Sequence, residues 1–296
     1  MIYVIAGQTA TGKSETAIKL AQLIDAEIIS ADSVAVYRKL DIGSAKPSQI
    51  EQANIPHHMI DVFDLDEPFN VAVFQKEARR LIKEIKSREK NVIVVGGTGL
   101  YIKALLYDYR FEDEPNMEIE RSESTETLYS LLIKQDPKTA ETIHPNNRKR
   151  IIRAINSFEY HKKSRNELNQ KQKDTQIIEA KVFFLYGDRN EVYRRINERV
   201  ERMFETGLET EVRDLYRQDP NIFKYNSMNS IGYREFESYF NKEIDRKTLI
   251  ALIQRNTRRF AKRQMTWFKN QQPALWINID EENAFEAIVK EIKQPV

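Results

Sequence analysis

The 296-residue chain contains no cysteine, which excludes disulfides and thiolate metal centres alike. Histidine is scarce, with four in all, and two of them, His57 and His58, are neighbours. Adjacent side chains on a strand point to opposite faces, so this pair is not expected to form a zinc site. No stretch approaches the roughly 20 apolar residues that a bilayer span requires. Met1 runs directly into the apolar segment Ile2–Ala6, which leaves no room for a signal peptide. A soluble cytoplasmic protein without membrane contact is the expectation. No internal repeat is evident. Net charge is also small, at +2.

What is present begins with Gly7-Gln-Thr-Ala-Thr-Gly12-Lys13-Ser14, a complete phosphate-binding loop. The run Ile2–Ala6 before it reads as a buried strand, and Glu15–Ile24 after it has helical apolar spacing at Ala17, Leu20, Ala21 and Ile24. That strand–loop–helix context gives the motif its meaning. Gly7 and Gly12 let the backbone bend, so that the N–H groups of Thr9, Ala10, Thr11 and their neighbours face one point at a helix N-terminus. Lys13 supplies a full positive charge, and the Ser14 hydroxyl is placed to bind Mg²⁺. The bland alternative is an ordinary strand–helix turn with a chance lysine.

A nucleotide hydrolase or kinase also needs a metal-binding carboxylate at the end of a later strand. The strand Asn91–Val95 instead runs into Gly96-Gly97-Thr98-Gly99, with no acid. The carboxylate is elsewhere, since Asp32 follows the short strand Glu27–Ser30 at its C-terminal end. Ligands of open α/β sheets gather outside the carboxyl ends of the strands, so the loop, Asp32 and Thr98 are expected to share one crevice. A lone Asp after a strand is otherwise a turn residue or helix cap.

Lys181–Tyr186 and Ala274–Ile279 complete a set of five strand candidates, with helical stretches such as Val71–Lys86 and Asn283–Ile292 between strands. The alternation predicts an α/β fold: a P-loop NTPase-like core whose five-stranded parallel sheet is wrapped by helices. Residues 1–110 begin this core and 178–296 complete it. Two segments exceed what a crossover needs. Residues 111–177 are read as an inserted helical domain, and about 201–256 as a lid-like helical arm, broken at Gly207, Asp219-Pro220 and Gly232. Charge is uneven. Phe111–Glu126 is acidic, Arg148–Lys173 is rich in Lys and Arg, and Arg255–Lys269 has six basic residues and no acid. Such clusters fit a polyanion footprint or a solvated helix face.

From end to end the chain resembles tRNA dimethylallyltransferases (tRNA isopentenyltransferases) of bacterial type. The resemblance rests on Gly7–Ser14, Ser30-Ala31-Asp32-Ser33 with Tyr37-Arg38, and Asp41-Ile-Gly-Ser-Ala-Lys46-Pro47. It continues through His57-His58-Met-Ile-Asp61, Gly96-Gly-Thr-Gly-Leu-Tyr101 and Ile143-His-Pro-Asn146 with Arg150 and Arg153. Ile231-Gly-Tyr-Arg-Glu235 and Phe260-Ala-Lys-Arg-Gln264 with Thr266-Trp-Phe268 complete it. Gln8 stands where the family commonly has Pro, while Asn147 and Arg148 replace its usual Asp and Pro. The zinc finger of some eukaryotic relatives is excluded by the missing cysteines.

The resemblance implies transfer of a dimethylallyl group from dimethylallyl diphosphate to N6 of an adenine. That base is the one 3′ of the anticodon in tRNAs reading codons that start with U, and the protein is expected to act on the anticodon stem-loop as a monomer with Mg²⁺ at Ser14. It further implies Asp32 as general base, with Lys13 and Thr98 beside it in catalysis. Gly7, Thr9, Ala10, Thr11, Gly12, Lys13 and Ser14 would hold the diphosphate, with Arg199 by a looser match. Ser33, Val34, Ala35, Lys149, Arg150, Arg153 and Arg263 would join Asp32 and Thr98 on tRNA. Trp267 and Phe268 are either channel lining or core. A prenyltransferase acting on free adenine nucleotides, a small-molecule P-loop kinase and a non-catalytic RNA-binding protein are the competing readings.

Overall fold

A computed structural model describes residues 1–111, 121–164 and 175–294. The chain separates into two compact units, one formed by 1–106 and 178–296 and the other by 107–177.

The first unit is built on β1 (Ile2–Gly7), β2 (Ala26–Ser30), β3 (His57–His58), β4 (Asn91–Gly96), β5 (Lys181–Tyr186) and β6 (Leu275–Asn278). Their order across the sheet is β3-β2-β4-β1-β5-β6, and every pairing is parallel. The sheet therefore has six strands, where five were expected. The extra one, β3, is only two residues long and pairs Ile28 with His57 and Ile29 with His58. Two half-buried histidines carry neither the length nor the apolar run that marks a strand in sequence. β1 lies between β4 and β5 and is buried throughout, as its unbroken Ile-Tyr-Val-Ile-Ala sequence requires in a sheet covered on both faces.

Helices follow wherever apolar residues recur at three- and four-residue spacing. α1 (Lys13–Ile24) buries Ala17, Leu20 and Ala21 against the sheet, in one cluster with Ile5, Ile28, Ile93 and Phe183. Each large side chain of this cluster, such as Leu20 or Ile28, contributes on the order of 1.5–3 kcal/mol, and each alanine methyl less. α2 (Val71–Ser87) starts where the Asn70 side chain accepts from the amides of Ala72 and Val73, and it buries Phe74, Ala78, Leu81, Ile82 and Ile85. α3 (Gly99–Leu106) follows β4 directly. In the second unit α4 (Thr125–Gln135), α5 (Pro137–Ala140) and α6 (Arg148–His161) enclose their own core of Leu128, Leu132, Ala140, Ile143, Ile151, Ala154 and Ile155.

Back in the first unit, α7 (Arg189–Glu205) and α8 (Leu208–Gln218) meet at Gly207, whose φ of 107° suits glycine. Two short 3₁₀ turns and α9 (Phe236–Phe240) lead to the 26-residue α10 (Arg246–Gln271), capped by Asp245 accepting from the Thr248 amide. α11 (Ala284–Lys293) closes the fold. Among the described residues no helix is long and apolar enough to cross a membrane.

Candidate active site

The loop between β1 and α1 is held by contacts that explain its composition. A Cβ on Gly7 would lie 2.5 Å from the Leu185 carbonyl oxygen, so glycine is what allows β5 to approach here. Ala10 (φ 63°) and Gly12 (φ 74°) both adopt the left-handed conformation, the alternation that turns successive amides toward a common point. The Thr11 hydroxyl donates to the Gln8 carbonyl at 2.7 Å, and the Lys13 ammonium donates to the same oxygen at 2.6 Å. Burial, reinforced by the charge of Arg199 and opposed by Asp32, brings the pKa of Lys13 down to about 7. In this state the lysine is close to balanced between its charged and neutral forms at neutral pH.

Asp32 emerges two residues beyond β2. Its Oδ1 accepts from the amides of Val34 (2.7 Å) and Ala35 (3.1 Å), an Asx-type turn that fixes the carboxylate while occupying one oxygen. Ser33 is exposed, whereas Ala35 is buried. At the end of β4, glycines again permit close approach. A Cβ on Gly96 would sit 2.4 Å from the Ala31 carbonyl oxygen, one residue before Asp32. Thr98 opens α3, its carbonyl accepting from the amides of Tyr101 and Ile102.

These three segments surround a cavity of about 680 Å³, counting its open mouth. Thr9, Lys13, Ser14, Asp32 and Thr98 line its polar side, and Ile28, Ile60, Val95 and Phe260 supply apolar wall. The crevice expected from strand topology thus does contain the loop, Asp32 and Thr98. Arg199 comes close enough for its charge to act on Lys13, and its own pKa is lowered by burial, against the pull of Asp32. Its guanidinium donates to the Ala45 carbonyl at 3.5 Å.

Several wall residues had no role assigned from sequence. Lys46 is almost fully buried, its ammonium set between Asp41 (2.7 Å) and Asp61 and donating to the Tyr37 carbonyl. The loop around it is anchored by Glu211 of α8, whose carboxylate accepts from the amides of Asp41 (3.0 Å) and Ile42 (2.8 Å) and from the Tyr233 hydroxyl (2.7 Å). A Cβ on Gly43 would lie 2.6 Å from the Tyr233 ring. The Asp41–Pro47 and Ile231–Glu235 motifs are therefore two halves of one contact. His57 also faces the cavity, its Nδ1 bonded to the Ile55 carbonyl, while His58 turns to Glu27.

The far wall belongs to α10. Phe260 lines the cavity, and Gln264, 4 % exposed, joins two loops: its Oε1 accepts from the Thr9 amide (2.8 Å) and its Nε2 donates to the Gly97 carbonyl (3.1 Å). Trp267 packs so tightly on Gly99 that a Cβ there would be 2.1 Å away. Phe268 is core, 4.6 Å from the Phe184 ring centroid, and does not line the cavity. Arg263 is exposed on the same helix, beside a shallow depression with Lys262 and Trp267.

In the second unit, Lys149, Arg150 and Arg153 are exposed on α6, opposite its buried Ile151, Ala154 and Ile155. None of the three makes an ion pair among the described residues, whereas Arg148 is drawn inward to the carbonyls of Arg121 and Glu123. Asn147 caps the helix by accepting from the Arg150 amide, the task for which an Asp would also serve. Arg165, Lys171 and Lys173 of the basic stretch and Glu112–Glu120 of the acidic one lie outside the described residues.

Comparison with known proteins gives a consistent answer. A family model described as IPP transferase matches residues 35–271. The chain is 42 % identical over 295 residues to the tRNA dimethylallyltransferase of Anoxybacillus flavithermus, covering 98 % of this chain and 94 % of that protein. It is 38 % identical over 299 residues to the tRNA dimethylallyltransferase of Bacillus subtilis, with 98 % and 95 % covered. The crystal structure of tRNA delta(2)-isopentenylpyrophosphate transferase from Staphylococcus epidermidis superposes with a TM-score of 0.75 at 37 % identity, covering 99 % of each chain. A eukaryotic dimethylallyltransferase acting on tRNA superposes with a TM-score of 0.83 at 27 % identity, over 98 % of this chain and 77 % of that one. The chain belongs to the IPP transferase family.

Proposed function

We propose that this protein transfers a dimethylallyl group from dimethylallyl diphosphate to N6 of the adenine 3′ of the anticodon, in tRNAs reading codons that begin with U. The observation that carries the reading is the convergence of Lys13, Asp32 and Thr98 on one cavity that also has an apolar wall. Full-length relatives named tRNA dimethylallyltransferase support both the donor and the acceptor.

The P-loop NTPase-like core here serves a leaving group. The amides of Ala10–Ser14 and the Lys13 ammonium take the diphosphate, with Arg199, whose charge reaches Lys13, adding to the positive field. Negative charge grows on the diphosphate as it departs with the electron pair of the allylic C–O bond. Donors already aimed at that position stabilise it without reorganising. No hydrolytic water needs placing, because the nucleophile is the acceptor amine itself. Mg²⁺ fits the remaining donor set: the exposed Ser14 hydroxyl is a hard oxygen ligand, and this ion takes most of its shell from water and phosphate rather than from a protein cage. Bound there, it would neutralise charge on the departing diphosphate.

The acceptor amine is a weak nucleophile because its lone pair is delocalised into the adenine ring. Asp32 takes a proton from N6 as the new N–C bond forms, and later releases it to solvent. Thr98 hydrogen-bonds the amine or the bridging oxygen and keeps the reactants in line. The target base lies in a single-stranded loop, so extruding it is less costly than from a duplex. Ser33, Val34, Ala35 and Arg263 contact the RNA near the cavity, and Lys149, Arg150 and Arg153 engage stem phosphates.

The test is incubation with Mg²⁺, labelled dimethylallyl diphosphate and either bulk tRNA or free adenine nucleotides. Label is expected in tRNA. Transfer only to nucleotides would select the free-nucleotide reading, and no transfer to either would reject prenylation. For the phosphate contacts, Arg150→Ala is expected to weaken tRNA binding and to reduce the slope of log K against log salt by about one. An unchanged slope would remove Arg150 from the phosphate contacts.

A further inference from the structure

Resting on the prenyl-transfer reading, we infer that Gln264 is a positioning residue that holds the donor cradle and the acceptor wall at a fixed separation. Its amide is buried, and each end has a different loop as partner. Oε1 accepts from the Thr9 amide in the phosphate loop, and Nε2 donates to the carbonyl of Gly97, next to Thr98. The partners are 255 and 167 residues away in sequence. No other side chain joins these two loops by hydrogen bonds among the described residues.

Two consequences follow from the geometry. First, the Thr9 amide is committed to Gln264, so the amides open to the donor's phosphates begin at Ala10. The left-handed turns at Ala10 and Gly12 then operate on a segment whose origin is pinned. Second, the bridge requires glycine at 97: a Cβ there would lie 2.0 Å from Nε2, so the side-chain amide would have to move away. Gln264 shares a face of α10 with Phe260, one turn earlier, which lines the cavity. The same helix carries exposed Arg259, Lys262 and Arg263. A helix that meets the acceptor is thereby clamped to the loop that holds the donor. Near-attack placement is sensitive at the level of 1 Å, where misplacement costs about 10²-fold in rate.

The experiment uses the full chain and three variants. Gln264→Met removes both bonds at similar volume, Gln264→Glu keeps an acceptor for Thr9 but puts a carboxylate against the Gly97 carbonyl, and Gly97→Ala attacks the bridge from the other end. Calorimetry with Mg²⁺ and inorganic diphosphate reads the cradle; steady-state kinetics with tRNA reads turnover and the KM of each substrate. Expected are about tenfold weaker diphosphate binding and a 10–10²-fold lower kcat in Gln264→Met and Gly97→Ala, with tRNA KM within twofold of the parent. The double variant Gly97→Ala/Gln264→Met should be no worse than either single one. Gln264→Glu should fall with them, since it keeps only half the bridge. Wild-type diphosphate affinity and kcat in Gln264→Met, additive losses in the double variant, or a fall in melting temperature alone would overturn the inference. Because diphosphate binding is read without any prenyl acceptor, failure of the bridge stays distinct from failure of the prenyl-transfer reading, which would show as an inactive parent protein.

Discussion

Asp32→Asn is expected to lower turnover by about 10²–10⁴-fold while leaving tRNA affinity within about twofold. The substitution is chosen because Asp32 has a structural duty besides its proposed chemistry. Its Oδ1 holds the amides of Val34 and Ala35, and an asparagine Oδ1 can accept from both. The turn after β2 survives, and only the charge and the proton affinity are lost. Alanine would confound the two. One secondary effect is predictable in sign. Asp32 is the group that raises the Lys13 pKa against burial and Arg199, so removing its charge pushes that pKa further down. Turnover should therefore be compared at saturating donor, whose diphosphate favours the Lys13 ammonium, and across a range of pH, so that loss of the base is separated from loss of that charge. A loss of tRNA affinity as large as the loss of kcat would recast Asp32 as an RNA anchor.

Lys13→Met is expected to weaken donor binding by at least about tenfold, the value of one charge-assisted hydrogen bond, and to abolish the proton uptake expected of the parent. In the ligand-free protein Lys13 titrates at about 7, lowered first by burial. A bound diphosphate favours the ammonium and raises that value. Between the two pKa values the complex holds more protons than the free protein, so binding takes up a proton there, and affinity falls by up to about tenfold per pH unit as pH rises above 7. Below 7 the lysine is already charged and this dependence disappears. The donor's own last ionisation lies near 6, so at pH 8 it contributes little. Calorimetry at pH 8 in two buffers of different ionisation enthalpy should report roughly one proton taken up by the parent and none by Lys13→Met. Equal uptake in both would place the titrating group elsewhere.

The features legible in sequence are those whose physics is local. A strand, a glycine-bounded loop, a lysine and a helix lie within 23 residues, and the structure assembles them in that order as β1, loop and α1. Asp32 lies beside the loop because parallel strands deliver their C-terminal ends to one edge. Phe268 shows how one helix pattern can hide two outcomes, since it is core while neighbouring Trp267 packs on the Gly99 backbone. What escaped depends on distant pairing. β3 exists only because Ile28 and Ile29 provide a template for two histidines. Lys46 is explained by Asp41 and Asp61, and its loop by Glu211 and Tyr233 from elements far along the chain. Gln264 sat inside a recognised motif, yet nothing local distinguishes a glutamine that joins two loops from one on a helix surface. The run Gly96-Gly97-Thr98-Gly99 did carry a usable signal: three glycines in four residues announce that other groups come very near the backbone. Which groups they are is a tertiary fact.

The second unit leaves the first after Leu106 and rejoins it at Ile178, and these two residues are themselves hydrogen-bonded, Ile178 N–H to the Leu106 carbonyl. An excursion of 71 residues thus begins and ends at a single doorway. Lengthening or trimming it alters chain-closure entropy only logarithmically and leaves strand register untouched. An insertion anchored at one doorway can be exchanged while the strands keep their pairing, much as an interchangeable tool head leaves its handle unaltered.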